Sequence, residues 1–162
     1  MPTITRSNTK LLAIYNRNVD SVYRLCYSFM KNRADAEDLT QETFLKLLAQ
    51  KCAFENERHE RAWLIVTASN LCKDSLKKWW RHQERIEDHQ ELGYEQAYAD
   101  PAIRKAILSL KPDYKTVVYM YYYEGYSTAE IARYLNCPEA TVRSRLSRAR
   151  AQLRSILGGD AR

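Results

Sequence analysis

Five arginines crowd the stretch "EATVRSRLSRARAQLRS", residues 139–155: Arg143, Arg145, Arg148, Arg150 and Arg154. The other residues decide what the arginines can do. At about 3.6 residues per turn, Val142, Leu146, Ala149, Leu153, Ile156 and Leu157 fall on one narrow stripe that must bury itself. The opposite side carries Ala140, Ser144, Ser147, Ala151 and Ser155. Arg143, Arg150 and Arg154 run along one margin and Arg145 and Arg148 lie nearer the other. A small-residue strip between basic margins suits close approach to a polyanion, although for such a helix taken alone a solvated basic face is the favoured account.

A second cluster lies in "RAWLIVTASNLCKDSLKKWWRH". Arg61, Trp63, Lys73, Lys77, Lys78, Trp80 and Arg81 crowd a helix whose inward stripe is Ile65, Ala68, Cys72, Leu76 and Trp79. Aromatics that stack on bases beside cations that meet phosphates suit single-stranded nucleic acid. Trp79, on the stripe, reads as core. Other chemistries find no purchase. Cys26, Cys52, Cys72 and Cys137 stand far apart with no CxxC pair. His59, His82 and His89 form no ligand spacing with them, so neither a metal site nor a disulfide framework is legible. No glycine-rich phosphate loop is present, and no cofactor or catalytic residue is implied.

The whole chain sets the frame for these clusters. Its 162 residues suit one ordinary domain or two small ones. Twenty-six Lys and Arg against twenty Asp and Glu give a net charge of +6, which permits a polyanionic partner without demanding one. Four glycines and four prolines allow few tight turns, which favours an all-α chain. The amino terminus lacks the apolar core of a signal peptide and no later run approaches a membrane span, so the expected location is cytoplasmic without membrane insertion.

Periodicity predicts the positioning elements. Tyr15, Val19, Val22, Cys26 and Phe29 make one amphipathic helix from Leu11 to Met30. Asp35 is the expected cap of the next, with Glu37 and Asp38 in its first turn. That helix buries Ala36, Leu39, Thr43 and Leu47 and turns Asp38, Gln41, Glu42 and Leu45 outward. "FENERHE" reads as a loop. Residues 83–100 turn polar and mostly acidic and read as a flexible linker. Pro101 opens a helix to about Leu110, and Pro112 opens another that stops at Gly125, its tyrosines serving as packing residues. "STAE" is a capping box in which Ser127 and Glu130 satisfy each other's backbone donors. It opens "TAEIARYL", with Ile131, Ala132 and Leu135 inward. "NCP" then breaks the helix, Asn136 being a residue that tolerates a left-handed turn. With the arginine stretch after it, this is a helix-turn-helix, the arrangement that inserts its second helix into the major groove. The fold class is all-α: two small helical domains joined by a flexible linker, the second containing the helix-turn-helix.

At this point the chain resembles the extracytoplasmic-function group of bacterial RNA polymerase sigma factors, of the sigma-70 family. The resemblance rests on "DAEDLTQETFLKLL" and "EGYSTAEIARYLNCPEATVRSRLSRARAQLR" in that order, joined by an acidic linker. It implies a region 2-like domain over 1–82, a linker over 83–100 and a region 4-like domain over 101–162. It further implies that Asp38, Gln41, Glu42, Phe44 and Leu48 hold the clamp coiled coil of the core enzyme. The loop from Glu55 to Glu60 would pocket a flipped base of the minus-ten element. Phe54, Arg58, Arg61, Trp63, Asn70, Lys73 and Lys77 would line the non-template strand. Arg143, Ser144, Ser147 and Arg148 would enter the major groove of the minus-thirty-five element, with Thr141, Arg145 and Arg150 toward the DNA backbone. Implied partners are core RNA polymerase, by clamp coiled coil and flap, promoter DNA in duplex and single-stranded form, and an anti-sigma factor.

Two other readings compete. A transcriptional regulator using the same helix-turn-helix without polymerase has no use for "DLTQETF". A site-specific recombinase needs a nucleophile beside clustered arginines, and Ser21, Ser28 and Tyr23 have no such setting.

Overall fold

Asn32, rather than Asp35, starts the second helix. Its backbone is extended, and its side-chain oxygen accepts from the Asp35 N–H at 2.8 Å while its amide donates to the Asp35 carboxylate at 2.9 Å. The residue just outside a helix can reach the third helical N–H, whereas Asp35 sits inside the first turn. Glu37 and Asp38 consequently fall beyond that turn. Lys31, at φ 65°, makes the break before it.

The computed structural model describes residues 2–50, 53–82 and 101–158. Among these, the helices are α1 (Pro2–Met30), α2 (Arg33–Ala49), α3 (Glu57–His82), α4 (Pro101–Leu108), α5 (Pro112–Val118), α6 (Thr128–Leu135) and α7 (Glu139–Gly158). No strand occurs among the described residues. The linker at 83–100, Cys52 and the side chains of Trp79, Trp80 and Arg81 lie outside what is described.

α1, α2 and α3 pack on one another. The buried face of α1 carries Ile14, Val22, Leu25, Cys26 and Phe29 together with Asn18, Ser21 and Ser28. The expected stripe is offset. Tyr15 is 40% exposed and lays its ring on Phe44 at 4.8 Å. The polar members of the face escaped a search for apolar spacing, yet two of them satisfy their side chains on the helix itself: Ser28 Oγ donates to Leu25 O at 2.7 Å and Asn18 Nδ2 to Ile14 O at 2.8 Å.

"FENERHE" is not a loop throughout. Asn56 Oδ1 accepts from the His59 N–H at 2.8 Å, and α3 begins at Glu57. The charged residues that obscured any periodicity are the helix's first turn, where Glu57 and Glu60 suit the positive end of its dipole.

α5 runs from Pro112 into a π-turn over Tyr119–Tyr123, and Gly125, at φ 76°, ends it. The sequence announced the stop but not the widened turn. α6 opens with the expected capping box, Glu130 N–H to Ser127 Oγ at 3.0 Å and Ser127 N–H to Glu130 Oε1 at 2.9 Å. It closes on Asn136 in the left-handed conformation at φ 57°. α7 buries Val142, Leu146 and Ala149 against α5 and α6. The stripe fails at its far end, where Ile156 and Leu157 are exposed, because no described element extends over the last turn.

The two groups of helices touch. α5 packs on α1 and α3, and α6 packs on α3. One buried cluster runs from Val22, Leu25 and Ile65 to Val117, Met120 and Tyr126. Polar groups stitch it: Tyr119 Oη donates to Ser21 O at 3.0 Å, Thr116 Oγ1 to Ser69 Oγ at 3.1 Å, and buried Lys115 Nζ to Ser28 O.

Candidate nucleic-acid interface

Three surfaces carry the residues singled out from the sequence. On α7, burial of Val142, Leu146 and Ala149 fixes the rotation, leaving Arg143, Ser147 and Arg148 exposed and Thr141, Ser144 and Arg145 half-buried. Arg143 pairs with Glu139 one turn before it at 2.9 Å. Arg150 turns the other way, its Nε donating to Tyr122 Oη at 2.6 Å, so it braces α7 against the π-turn. Thr128 Oγ1 donates to Glu139 Oε2 at 2.6 Å and ties the start of α6 to the start of α7, setting the angle at which α7 projects.

On α2, burial of Ala36, Leu39, Thr40, Thr43, Phe44 and Leu47 leaves Asp38, Gln41, Glu42, Leu45 and Leu48 outward. Leu45 and Leu48 are 61% and 57% exposed. Phe44 is inside, behind this face.

The third surface is the face of α3 with the turn before it. Phe54 and Trp63 pack at 5.9 Å, and the His59 ring stands edge-on to Phe54 at 5.3 Å. Glu55, His59, Trp63, Val66, Thr67 and Asn70 line a cavity of about 530 Å³, completed by Arg133 and Tyr134 of α6. The cavity therefore sits on the first turns of α3 rather than in a free loop. Lys77 is exposed beyond it.

Arg58, Arg61 and Lys73 do not point into solvent alone. Arg58 grips Glu130 with two hydrogen bonds, Nε to Oε2 at 3.0 Å and Nη2 to Oε1 at 2.8 Å, reaches Gly125 O at 2.9 Å, and lies 4.4 Å over the Tyr126 ring. Glu130, accepting from Arg58 and from the Ser127 N–H, is held down at about 2. Tyr126 returns a hydrogen bond to Arg58 O at 2.8 Å. Lys73 pairs with Asp113 at 2.9 Å, which lowers the Asp113 carboxyl. Arg61 pairs with Glu124 at 3.2 Å, donates Nε to Asn18 Oδ1 at 2.9 Å and donates Nη2 to Arg17 O at 2.7 Å. Behind it, the buried Glu60 carboxylate accepts from Arg17 at 2.8 Å and Asn18 at 2.7 Å. Arg61 thus belongs as much to the packing of α1 on α3 as to any surface. Partly exposed ion pairs are worth about 0–1 kcal/mol each, so the shared apolar cluster, not these pairs, supplies most of what holds the groups together.

Asp113, Glu124, Glu130, Arg133 and Tyr134 were not singled out from the sequence for this surface. Glu130 was already accounted for by its cap, and its pairing with Arg58 spans 72 positions. No local spacing carries such a signal.

Comparison with known proteins agrees with this architecture. The family profile for sigma-70 region 2 matches residues 14–82 and that for sigma-70 region 4 matches residues 101–153. The chain is 31% identical over 158 residues to the ECF RNA polymerase sigma factor SigW of Bacillus subtilis, covering 85% of this chain and 83% of that protein. It is 34% identical over 155 residues to the ECF RNA polymerase sigma factor SigE of Mycolicibacterium smegmatis, covering 89% of this chain and 60% of that longer protein. Its fold is similar to that of the sigma factor RpoE of Bartonella quintana, solved in complex with the anti-sigma factor NepR, at a TM-score of 0.69 and 24% identity, covering 94% of this chain and 97% of that one. Two region profiles in the expected order, and a relative matched over most of both lengths, establish that the chain belongs to the ECF group of the sigma-70 family of RNA polymerase sigma factors.

Proposed function

We propose that the chain works as an alternative sigma factor, directing core RNA polymerase to promoters, with a separate task for each of its three surfaces. The exposed face of α2, Asp38, Gln41, Glu42, Leu45 and Leu48, docks on the clamp coiled coil of the core enzyme, with Phe44 behind it. The α3 face, with Phe54, Arg58, Arg61, Trp63, Asn70, Lys73 and Lys77, holds the non-template strand of the minus-ten element, a flipped base entering the cavity between His59, Trp63 and Asn70. Extracting a base costs a few kcal/mol, of the order that stacking and hydrogen bonds in such a cavity return. Arg143, Ser144, Ser147 and Arg148 enter the major groove of the minus-thirty-five element, and Thr141 and Arg145 lie toward its phosphates. Residues 1–82 and 101–162 form the two working domains, acting in the cytoplasm under an anti-sigma partner. No catalytic step belongs to the chain itself.

The observation that carries this over a stand-alone helix-turn-helix regulator is the outward face of α2. Two exposed leucines among carboxylates and an amide are of no use to a protein that only reads duplex DNA. The test adds the purified chain to bacterial core polymerase on fragmented DNA from its own organism and sequences the 5′ ends of the transcripts. Discrete start sites that need the added chain are expected. Transcripts unchanged by its addition refute the reading.

A further inference from the structure

A flipped base is read by groups whose hydrogen bonds are not already engaged within the protein. In the turn before α3, the Glu55 N–H donates to His59 Nδ1 at 3.1 Å. A backbone N–H can only donate, so Nδ1 carries a lone pair and the proton of the neutral imidazole sits on Nε2. That Nε2–H has no acceptor among the described residues, while the bond to Nδ1 and the edge-on contact with Phe54 hold the ring in place. The Glu55 carboxylate is exposed and makes no hydrogen bond or ion pair among the described residues. Both side chains line the cavity of about 530 Å³ whose walls include the Trp63 ring and the apolar Ala62 and Val66. Since the amide of one binds the ring of the other, one fixed donor stands beside two carboxylate acceptors.

One base matches that set in full along its Watson–Crick edge. Guanine presents a carbonyl, O6, to the imidazole donor and two adjacent donors, N1–H and N2–H, to the two carboxylate oxygens. Adenine and cytosine each present one amino donor next to a ring-nitrogen acceptor, so they satisfy His59 and one carboxylate oxygen and leave the other unpaired. Thymine has its single N3–H between two carbonyls, one of which faces the carboxylate in repulsion. Resting on the sigma-factor reading above, we infer that Glu55 and His59 make this cavity selective for guanine, Glu55 accepting from N1–H and N2–H and His59 donating to O6, with the base stacked on Trp63. The additional bond is charge-assisted, so guanine leads, adenine and cytosine follow and thymine comes last. Both readers lie in the turn before α3 and in its first turn, so the selectivity does not depend on Arg133 and Tyr134 of α6.

The test assembles the chain with core polymerase and adds fluorescein-labelled single-stranded oligonucleotides carrying the non-template minus-ten element of a promoter found by its transcript ends. Each position is replaced in turn by all four bases, and affinity is read by fluorescence anisotropy. One position is expected to prefer guanine over adenine and cytosine by about tenfold, with thymine weakest. Inosine, which keeps O6 and N1–H but lacks the 2-amino group, is expected to fall to the level of adenine at that position. Glu55→Gln, whose amide offers one acceptor and one donor, is expected to exchange the preference for guanine for one for adenine or cytosine. A Glu55 with a merely structural role would weaken all four bases alike when replaced. Guanine selectivity is overturned if no position prefers guanine, if inosine matches guanine there, or if Glu55→Gln keeps the preference or weakens every base equally. The sigma-factor reading survives each of those outcomes while the assembled enzyme starts transcription at the promoter, and both fall if it starts at none.

Discussion

At the residue scale, Lys115 has the least expected setting. Its ammonium, buried between the two helical groups, donates to Ser28 O and lies 5.4 Å over the Phe29 ring. Both contacts favour the charged form, but burial outweighs them. Helped by repulsion from Lys31 and opposed by the Cys72 thiol, it pulls Lys115 down to about 7 from an ordinary 10.5. The sign follows directly. Between these two values folding releases a proton, so the folded state weakens as pH falls from 10.5 toward 7 and changes no further below that. Lys115→Met is expected to flatten this dependence and raise the melting temperature near neutral pH, checked by thermal melts across that window. Two more residues separate the proposed surfaces. Arg148→Ala is expected to cost about 1–3 kcal/mol of binding to minus-thirty-five duplex DNA, by fluorescence anisotropy, and to leave core polymerase association intact. Gln41→Ala with Glu42→Ala is expected to do the reverse. Equal loss of both activities from either variant refutes the division of labour. Lys115 itself was not legible in the sequence, because a lysine between a tyrosine and a threonine is ordinarily a solvated one, and only the packing of α5 on α1 buries it.

At the element scale, what could be read from the sequence was whatever is decided within a few residues. The Ser127 and Glu130 box, the Asn136 turn and the inward Val142, Leu146 and Ala149 all depend on spacings of three or four positions, and all stand as expected. Ser127→Ala is accordingly expected to cost about 1 kcal/mol of stability, read by urea denaturation. Asn136→Val, forcing a branched side chain into the left-handed region, is expected to cost about 1–2 kcal/mol. The misreadings share a cause as well. Asn32 displaced Asp35 as a cap and Asn56 turned an apparent loop into the start of α3, because several adjacent polar residues can each offer a capping oxygen and the tertiary packing chooses among them. The π-turn at Tyr119–Tyr123 is of the same kind. One widened turn lets buried Tyr119 and Met120 face the shared core while Tyr122 faces Arg150 of α7. A run of tyrosines contains no periodic sign of that divided duty.

At the scale of the whole molecule, the buried cluster passes without interruption from one helical group to the other, so the two are expected to unfold together. Calorimetry on the unaltered chain is expected to give a single transition, and Asp113→Lys with Glu124→Lys to split or broaden it. Nothing in the sequence announced this contact. Composition and periodicity describe each group separately, while the carboxylates that meet α3 are indistinguishable by spacing from any solvated acid. The three internal ion pairs also alter how the protein lives among bulk nucleic acid. Each cation withheld from phosphate displaces one counterion fewer, so three withheld cations are expected to reduce the slope of log affinity against log salt for single strands by about 2. A chain of net charge +6 with its α3 cations open would spend much of its time parked on irrelevant nucleic acid. The internal pairs at Arg58, Arg61 and Lys73 are expected to shorten those stops and leave a larger freely diffusing pool to meet polymerase.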